Sequence, residues 1–356
     1  GRVRLSSVVY LFGNYLIHAA PTARVSAALT GAAQDETGIQ LAPQDAKEFF
    51  ARVASGTPIL VFYADAAPNI GFMYFRKTLL PTRVPEVTAA GALAADIETG
   101  EILFEKNQYD RYPTASLTKL VTAIVAGKNM KPERVLTVTD DALKTYGNSA
   151  ELVRGETFAA RDLFHGLILE SSNDIAVMLQ IAVPDFIAKL NEYAETLGLS
   201  RTSFEDSSGL SQNNVTSAGD LFILLQEVDT KHPELLTLSR ERKYSVVSLN
   251  KKRKHQWDNI NWPAGDPRYL GGKAGFTDES IQTMAGVWSA RMSEYGVRKI
   301  AVTLLGSRNR VRDVRAILSY LEHDFIYGFA QNANQKGKSV SAVSGASLYQ
   351  SWQEGR

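Results

Sequence analysis

The chain has 356 residues, 44% of them hydrophobic and 22% charged, a composition typical of a soluble globular protein with a sizeable core. Its 39 basic and 38 acidic side chains nearly cancel, so no excess of charge indicates nucleic acid as a partner. It has no cysteine, which excludes disulfides, thiolate metal sites and a cysteine nucleophile, and its five histidines lack the spacing of metal ligands, so we expect neither a metal nor another cofactor.

The first 85 residues carry only weak patterns. Two arginines precede an apolar stretch at residues 8–20. This stretch fits either a remnant of a signal or anchor sequence, which would associate the chain with a membrane through its N-terminus, or a segment of core. A second apolar stretch, at residues 58–75, is interrupted by Asp65 and Pro68, so no clean apolar run of about 20 residues exists. We predict an N-terminal extension over residues 1–85 and assign it no fold.

From about residue 86 the patterns become regular. Residues 90–97 and 102–106 are β-compatible apolar runs around a turn that contains Gly100, which predicts a hairpin. In chain order we predict helices after Ser116 and over residues 159–170, 174–182, 185–198, 217–228 and 311–322, and late strands over residues 269–277, 281–290 and 298–305. The hairpin joins these strands in one antiparallel five-stranded sheet packed with helices, so the predicted fold class is α+β.

Composition sets the boundaries of this second domain, which we place at residues 86–328. Pro81 and Pro85 mark a linker before it, and residues 329–356 are rich in Ser, Gly, Gln and Asn, which predicts a flexible tail. Within the domain, the basic run at residues 251–255 is predicted to be a solvated hairpin tip. Contact of this run with an anionic cell-envelope polymer or with lipid head groups is the alternative.

Three short motifs follow one another in the second domain: Ser116-Leu117-Thr118-Lys119, then Ser171-Ser172-Asn173, then Lys273-Ala274-Gly275 followed by Phe276 and Thr277. A serine hydroxyl is a poor nucleophile until a base takes its proton. Residues i and i+3 lie on the same helix face, so Lys119 is expected to reach Ser116. Each motif alone is a weak signal, whereas the ordered set, with each member on its expected element, strongly indicates a serine acyl-transferase site.

The first and third motifs also supply the other requirements of acyl transfer. The backbone N–H of Ser116 lies in the first turn of a helix, where it has no intrahelical partner and can donate to a developing oxyanion. The N–H of Phe276, on an edge strand, is the expected second donor. Lys119 must be neutral to act as a base, and burial together with a nearby cation, Lys273, would lower its pKa.

The second motif precedes a predicted helix. We expect Ser171 to relay a proton to the leaving group and Asn173 to orient the substrate amide. Asp174, at the start of that helix, is expected to cap it.

Several stretches around the motifs point to one protein family. They are Asp96-Ile97-Glu98-Thr99-Gly100, Leu103-Phe104-Glu105-Lys106-Asn107, Pro113-Thr114-Ala115-Ser116-Leu117-Thr118-Lys119-Leu120, Leu169-Glu170-Ser171-Ser172-Asn173-Asp174, Leu197-Gly198-Leu199, Ser208-Gly209-Leu210 and Gly272-Lys273-Ala274-Gly275-Phe276-Thr277. On these stretches, residues 90–325 resemble the D-alanyl-D-alanine carboxypeptidases, the low-molecular-mass penicillin-binding proteins.

The resemblance implies a β-lactamase/transpeptidase-like fold and a serine enzyme outside the cytoplasm, in the periplasm or on the outer face of the cytoplasmic membrane. It implies action on peptidoglycan stem peptides that end in D-Ala-D-Ala, and covalent inhibition by β-lactams. Carried over onto this sequence, the catalytic residues are Ser116, Lys119 and Ser171. The substrate-binding residues are Asn173, Lys273, Ala274, Gly275, Phe276 and Thr277.

The sequence departs from the family at Ala274, where members carry Thr or Ser whose hydroxyl helps to hold the terminal carboxylate of the substrate. Losing one charge-assisted hydrogen bond costs about 1.5–3 kcal/mol, roughly ten- to a hundredfold in rate or affinity. A D,D-endopeptidase, which cuts internal cross-links, needs that contact less and is the alternative function. Of three arginines beyond the last strand (Arg308, Arg310 and Arg312), Arg312 is by position the candidate to bind the carboxylate instead; the alternative is a solvated helix start.

Two other functions compete with a peptidase. A β-lactamase needs a carboxylate that activates the deacylating water, commonly in a Glu-x-x-Leu-Asn sequence, and residues 174–273 contain none. A non-catalytic wall-binding protein would explain Ala274 as early decay of the site, but all three motifs keep their reactive side chains. Both are therefore ranked below the peptidase.

Overall fold

The structure is a computed structural model that describes residues 84–147, 150–293 and 296–329, together with short segments near the N-terminus. The chain divides into two compact units, Gly1–Tyr63 and Ala64–Arg356. The first unit contains β1 (Val8–Tyr10), β2 (Leu16–Ala19) and β3 (Gly38–Leu41), and β2 pairs antiparallel with β1 and parallel with β3. The remainder of the predicted extension, apart from β4 below, lies largely outside the described residues, as does the predicted tail after Phe329.

The second unit alternates strands and helices in an order close to the predicted one. Its strands are β4 (Phe72–Arg76), β5 (Gly91–Asp96), β6 (Ile102–Lys106), β7 (Tyr112–Pro113), β8 (Val135–Thr137), β9 (Thr157–Ala159), β10 (Val215–Thr216), β11 (Lys243–Val247), β12 (Lys254–Asp258), β13 (Tyr269–Thr277), β14 (Ile281–Ser293), β15 (Gly296–Ser307) and β16 (Phe325–Phe329). Its helices are α1 (Thr118–Asn129), α2 (Asp140–Leu143), α3 (Ala160–Leu169), α4 (Asn173–Ala182), α5 (Phe186–Thr196), α6 (Ala218–Lys231), α7 (Pro233–Leu238) and α8 (Arg310–Asp324).

The central sheet has five antiparallel strands in the order β13-β14-β15-β5-β6, which confirms the predicted sheet. Gly100 in the β5–β6 turn has φ +76°, a value that favours glycine. Because the first hairpin adds β5 beside β15, the late strand β13 is left at one edge. This edge strand carries the third motif.

Both faces of the sheet are buried. Successive side chains of a strand point to opposite sides, so β5 contributes to a core on each face. Leu93 and Ala95 contact one core, which is shared with α1 and the helices around it. Ala92 and Ala94 contact a second core, which is shared with α8. The near-continuous apolar sequence of β5 follows from this two-sided burial.

The helices predicted from periodicity are confirmed to within about three residues at their ends. The short helices α2 and α7 and the two-stranded pairs β7–β10, β8–β9 and β4–β16 were not predicted. These elements have only two to six residues, which is too short for a periodic signal. The basic run does lie at the tip of a hairpin, formed by β11 and β12, and its residues 251–254 are exposed, as expected. His255, however, is buried and lies 3.0 Å from a Glu156 carboxylate oxygen.

Strand β4 places part of the predicted extension within the second unit. It pairs antiparallel with β16, and Tyr74 donates a hydrogen bond of 2.5 Å to Asp96 at the end of β5. Arg298 donates to the same carboxylate from 2.7 Å. Burial acts to raise the pKa of Asp96, but the hydrogen bonds from Arg298 and Tyr74 hold it below its usual value. None of the helices in the described part of the chain is long and apolar enough to span a bilayer.

Candidate active site

Ser116 lies in a 3-10 turn, Ala115–Leu117, that leads directly into α1. The apolar stripe of α1 is buried in the first core, so the N-terminal end of a central helix holds the serine. Thr114 fixes the turn, because its N–H donates to Asn214 and its carbonyl accepts from the Thr283 hydroxyl. Ala115 has φ +49°, an uncommon conformation for a residue with a Cβ. The nucleophile is therefore held in a constrained turn at the surface of the core.

Three oxygen atoms surround the amine of Lys119. Its Nζ lies 3.0 Å from Ser116 Oγ, 2.7 Å from Asn173 Oδ1 and 2.6 Å from the Ser208 carbonyl oxygen. The amide and carbonyl oxygens only accept hydrogen bonds, whereas the serine hydroxyl can donate one. A neutral amine has two N–H donors and one lone pair. Its donors can therefore go to Asn173 and Ser208 while its lone pair receives the Ser116 proton.

The surroundings of Lys119 favour that neutral form near neutral pH. The side chain is fully buried, and this desolvation lowers its pKa to about 7. The carboxylates of Asp206 and Asp174 act in the opposite direction and keep the pKa from falling further. Asp206 is held as an anion, because hydrogen bonds from Ser211, Gly209 and Ser208 outweigh the effect of its burial and keep its pKa below the usual value.

Lys273 brings a second buried amine to the site from the edge strand β13. Its Nζ donates to the Ala274 carbonyl at 2.7 Å and to Asn261 Oδ1 at 3.3 Å, and the same Asn261 oxygen accepts from the Ala274 N–H at 2.9 Å. Burial is the largest cause of a pKa well below the usual value for lysine, and the positive charges of Lys119 and Arg310 lower it further. Lys119 is therefore one of the charged groups that act on Lys273.

Two glycines allow the backbone to come close to the nucleophile. A Cβ on Gly275 would lie 2.8 Å from the Ser116 backbone nitrogen, so β13 passes directly beside the N–H predicted to bind the oxyanion. A Cβ on Gly209, which has φ +89°, would lie 1.8 Å from the Ala115 carbonyl oxygen. Both positions therefore require glycine. They join the turn that carries Ser116 to β13 on one side and to the 206–211 loop on the other.

The second motif is only partly engaged with the other two. Asn173 is buried and spans Lys119 and the Tyr146 carbonyl, to which its Nδ2 donates at 2.8 Å. The hydroxyl oxygen of Ser171 is also buried, but it forms no hydrogen bond within the described part of the chain. Ser171 has φ +61°, so it lies in the left-handed region, as does Ala115 directly before the first motif. The expected capping role of Asp174 is wrong: the hydroxyl of Ser172 accepts the Ile175 N–H and caps α4.

The rest of the third motif divides between the cleft and the strand turn. Ala274 is almost fully buried and faces the core shared with α8, whereas its neighbours Lys273 and Gly275 face the other side of β13. Phe276 is 60% exposed at the sheet edge. The Thr277 hydroxyl is bonded to Ser280 in the β13–β14 turn.

The structure places Arg310, rather than Arg312, beside the third motif. The guanidinium of Arg310 donates to the Gly275 carbonyl at 2.8 Å, and burial lowers its pKa. Arg312 is exposed and lines a shallow surface depression with residues 84–86. Arg310 therefore lies at the backbone of the third motif, at the residue that follows Ala274.

Sequence reasoning missed four residues that contact or act on the predicted site side chains. Ser208 and Asp206 act on Lys119, Asn261 holds Lys273, and Tyr146 fixes Asn173 through its carbonyl group. The sequence around Ser208 was noticed only as part of the family resemblance. Asn261 and Tyr146 lie in irregular segments distant in sequence from the residues they contact, and no local pattern marks them.

The geometry can support nucleophilic acyl transfer. It provides a hydroxyl next to a buried amine of lowered pKa, a second buried amine nearby, and an N–H beside an edge strand. Among the described residues, no group of three or more acidic or histidine side chains is arranged to hold a metal ion.

Comparison with known proteins gives a consistent result. The family model described as D-alanyl-D-alanine carboxypeptidase matches residues 79–307. The chain is 28% identical over 244 residues to the D-alanyl-D-alanine carboxypeptidase DacC of Escherichia coli, covering 64% of this chain and 59% of that protein. It is 26% identical over 252 residues to a D-alanyl-D-alanine endopeptidase of Pseudomonas aeruginosa, covering 67% of this chain and 78% of that protein. The chain thus spans about three fifths of the length of the carboxypeptidases it matches first.

Solved structures show the same fold. The Streptomyces K15 DD-transpeptidase superposes with a TM-score of 0.60 at 24% identity, covering 67% of this chain and 98% of that one. A D-alanyl-D-alanine carboxypeptidase from Mycobacterium tuberculosis superposes with a TM-score of 0.61 at 22% identity, covering 74% of this chain and 97% of that one. At these identities the likeness establishes the fold, and the predicted transpeptidase-like architecture is confirmed.

Proposed function

The chain belongs to the D-alanyl-D-alanine carboxypeptidase family, and from that premise we propose that it is a serine-type D-Ala-D-Ala carboxypeptidase of peptidoglycan stem peptides. The observation that carries the proposal is the 3.0 Å contact between Ser116 Oγ and the buried amine of Lys119, whose pKa is lowered to about 7. A base in that state next to a serine is what acyl-enzyme formation requires.

The proposed reaction starts with the Ser116 hydroxyl. Its proton passes to the lone pair of Lys119 as Oγ attacks the carbonyl carbon of the penultimate D-Ala. The charge that develops on the carbonyl oxygen is bound by the N–H groups of Ser116 and Phe276. When the intermediate collapses, the terminal D-Ala leaves as an amine that receives a proton through Ser171. Water then hydrolyses the ester on Ser116 and restores the enzyme.

The remaining motif residues are proposed to bind the peptide. Asn173 orients the substrate amide, Lys273 donates a hydrogen bond, and β13 from Gly275 to Thr277 runs beside the substrate backbone. Arg310 takes the role first assigned to Arg312 and binds the terminal carboxylate, because its guanidinium already lies at the Gly275 carbonyl. A β-lactam, which presents a strained amide and a carboxylate, would acylate Ser116 in the same way. The site of action is proposed to be outside the cytoplasm, where the peptidoglycan substrate lies.

A D,D-endopeptidase is the second candidate, and Ala274 is the observation that favours it. A buried methyl group stands where a hydroxyl would help to hold a free terminal carboxylate. An endopeptidase cuts a bond that is not followed by a free carboxylate and loses less from this change. The match to the Pseudomonas aeruginosa endopeptidase, which covers more of that protein than the matches to the carboxypeptidases do, supports the same alternative.

We expect the wild-type protein to release D-Ala from a D-Ala-D-Ala pentapeptide, and Ala274→Thr to raise kcat/KM for that peptide about tenfold by restoring one charge-assisted hydrogen bond. Activity on a cross-linked muropeptide should change less than twofold. Both substrates are followed by chromatography for both proteins, with thermal melting as a check on folding. If the protein cleaved the cross-linked substrate but released no D-Ala from the pentapeptide, the proposed function would be endopeptidase and not carboxypeptidase.

Two matched variants test whether Arg310 binds the terminal carboxylate of the substrate. Arg310→Gln should raise KM for the pentapeptide by roughly ten- to a hundredfold, because a hydrogen bond to a charged group is lost. Arg312→Gln, two residues further along the same helix, should change KM less than twofold, since its side chain is exposed away from β13. A larger effect in Arg312→Gln than in Arg310→Gln would return the role to Arg312.

A further inference from the structure

Asp174 is a buried carboxylic acid that the reaction described so far does not use. Its side chain is completely buried, and apart from the backbone N–H of Asp174 itself neither oxygen has a hydrogen-bond partner within the described residues. Burying an unpaired carboxylate is costly. Ser172 caps α4, so helix capping does not account for the acid either.

The position of Asp174 links it to the proposed base. Helix α4 packs against α1, and the residue before Asp174, Asn173, accepts a hydrogen bond of 2.7 Å from Lys119 Nζ. The carboxylate and the amine interact electrostatically in the protein interior, where charges are poorly screened. The other charged group that acts on Lys119 is Asp206, which accepts hydrogen bonds from the N–H groups of its own loop.

Lys119 is the one charged side chain, among the described elements around α4, that acts on Asp174. The other charged or titratable groups on the packed helices include Asp140 and Asp141 of α2, Arg161, Asp162 and His165 of α3, and the charged side chains of α5. The groups named on α2 and α3 have partners of their own, which are Arg154, Lys144, Glu133, Tyr244 and Glu241 respectively. Lys119 is therefore the charged group that links Asp174 to the site.

Building on the proposed function, we propose that Asp174 is a positioning residue for acylation, whose buried carboxylate sets the proton affinity of Lys119 and stabilises the ammonium formed when Lys119 takes the Ser116 proton. In that step the Ser116 O–H bond breaks and an N–H bond forms on Lys119. A positive charge then appears within electrostatic range of a carboxylate whose one hydrogen-bond partner, among the described residues, is its own backbone N–H. The carboxylate itself does not exchange a proton with the substrate.

The protonation states fit this role. Burial raises the pKa of Asp174 to about 6, while the attraction of Lys119 opposes the rise. Lys119 itself has its pKa lowered to about 7. Around neutral pH Asp174 is therefore ionised while Lys119 titrates. A negative neighbour favours the protonated amine, so removing the carboxylate must lower the pKa of Lys119 and not raise it.

The test is the pH dependence of acylation by a fluorescent penicillin, measured as the second-order rate constant between pH 5 and pH 9. In Asp174→Asn we expect the midpoint of the acidic limb to move about one unit to lower pH, within the range that a nearby charge produces. At pH 6.5, where Asp174 of the wild type is still largely ionised, the variant should then retain roughly threefold more of its own plateau rate than the wild type. Asp174→Ser should shift the midpoint in the same direction, and Asp174→Glu, which keeps the charge, should leave it close to that of the wild type.

Glu170→Gln is the matched control, because Glu170 is a half-buried acid four residues earlier whose electrostatic partners are Asp258 and Glu151 and not Lys119. It should not move the midpoint. An unchanged midpoint in both Asp174→Asn and Asp174→Ser, with the rate lowered equally at every pH, would show a merely structural role and overturn the inference. A wild-type protein that takes no label at any pH would overturn the proposed function instead, so the two failures are distinguishable.

Discussion

Ser116→Ala is expected to abolish covalent labelling by a fluorescent penicillin and to lower release of D-Ala from a pentapeptide by about six orders of magnitude, because loss of a nucleophile leaves only binding and oxyanion contributions. The structural reason is that Ser116 Oγ is the hydroxyl in contact with the buried amine of Lys119. Labelling is followed by gel electrophoresis and peptide cleavage by chromatography.

The control for this variant is Ser319→Ala, which removes an exposed hydroxyl from the outer face of α8 and should leave labelling unchanged. Ser116→Ala should melt within about 1 °C of the wild type, because one partly exposed hydroxyl contributes little to stability. Persistent label in Ser116→Ala would contradict the assignment of the nucleophile. In the wild type, rapid loss of the label would indicate a β-lactamase, and absence of label a non-catalytic binding protein.

The parts of this protein that sequence predicts well are those whose signal is local. The apolar runs on either side of Gly100 predicted the β5–β6 hairpin, and the helical stripe after Ser116 predicted α1, because both patterns reflect burial within one element. The order of the three motifs then led to a family and a fold. The sheet order follows as well, since an early hairpin and three late strands leave β13 at an edge.

The parts that sequence did not predict depend on the exact direction of a side chain or on distant contacts. Arg310 and Arg312 are two residues apart in a helix, where side chains at that spacing point about 200° apart, so an error of one residue in the start of α8 exchanges their roles. The cap of α4 falls on Ser172 and not on Asp174 for the same reason. Asn261 holds Lys273 from an irregular segment twelve positions earlier, which no periodic pattern reveals.

Lys119 and Lys273 show why the sequence alone could not predict all the groups that determine the pKa of a buried amine. Each amine is fully buried, and each is kept in place by carbonyl or amide oxygens that come from separate segments. The sequence predicted the direction of the pKa change of Lys119 from burial, which is its largest cause; Lys273, the second expected cause, is not among the groups that shift it. The sequence did not identify Asp206 and Asp174, whose negative charges oppose that change and hold the pKa near 7.

Lys119→Met is expected to lower the rate constant of acylation by about a thousandfold, within the range attributed to general base catalysis. Lys119→Arg should be as slow as Lys119→Met, because a guanidinium keeps the positive charge but does not lose a proton in a protein. In the wild type, the rate should rise about tenfold per pH unit below pH 7 and level off above it, since the amine whose pKa is about 7 must lose its proton to act as a base.

Lys128→Met is the matched control for the base, since Lys128 lies at the exposed end of the same helix, where its ammonium rests over the Tyr193 ring. It should acylate at the wild-type rate with an unchanged pH profile. If Lys119→Arg kept more than about a tenth of the wild-type rate, Lys119 would act through its charge and not through its lone pair. A wild-type rate that does not vary between pH 5.5 and pH 8.5 would lead to the same conclusion, because a permanently charged amine has no proton-accepting form for pH to populate.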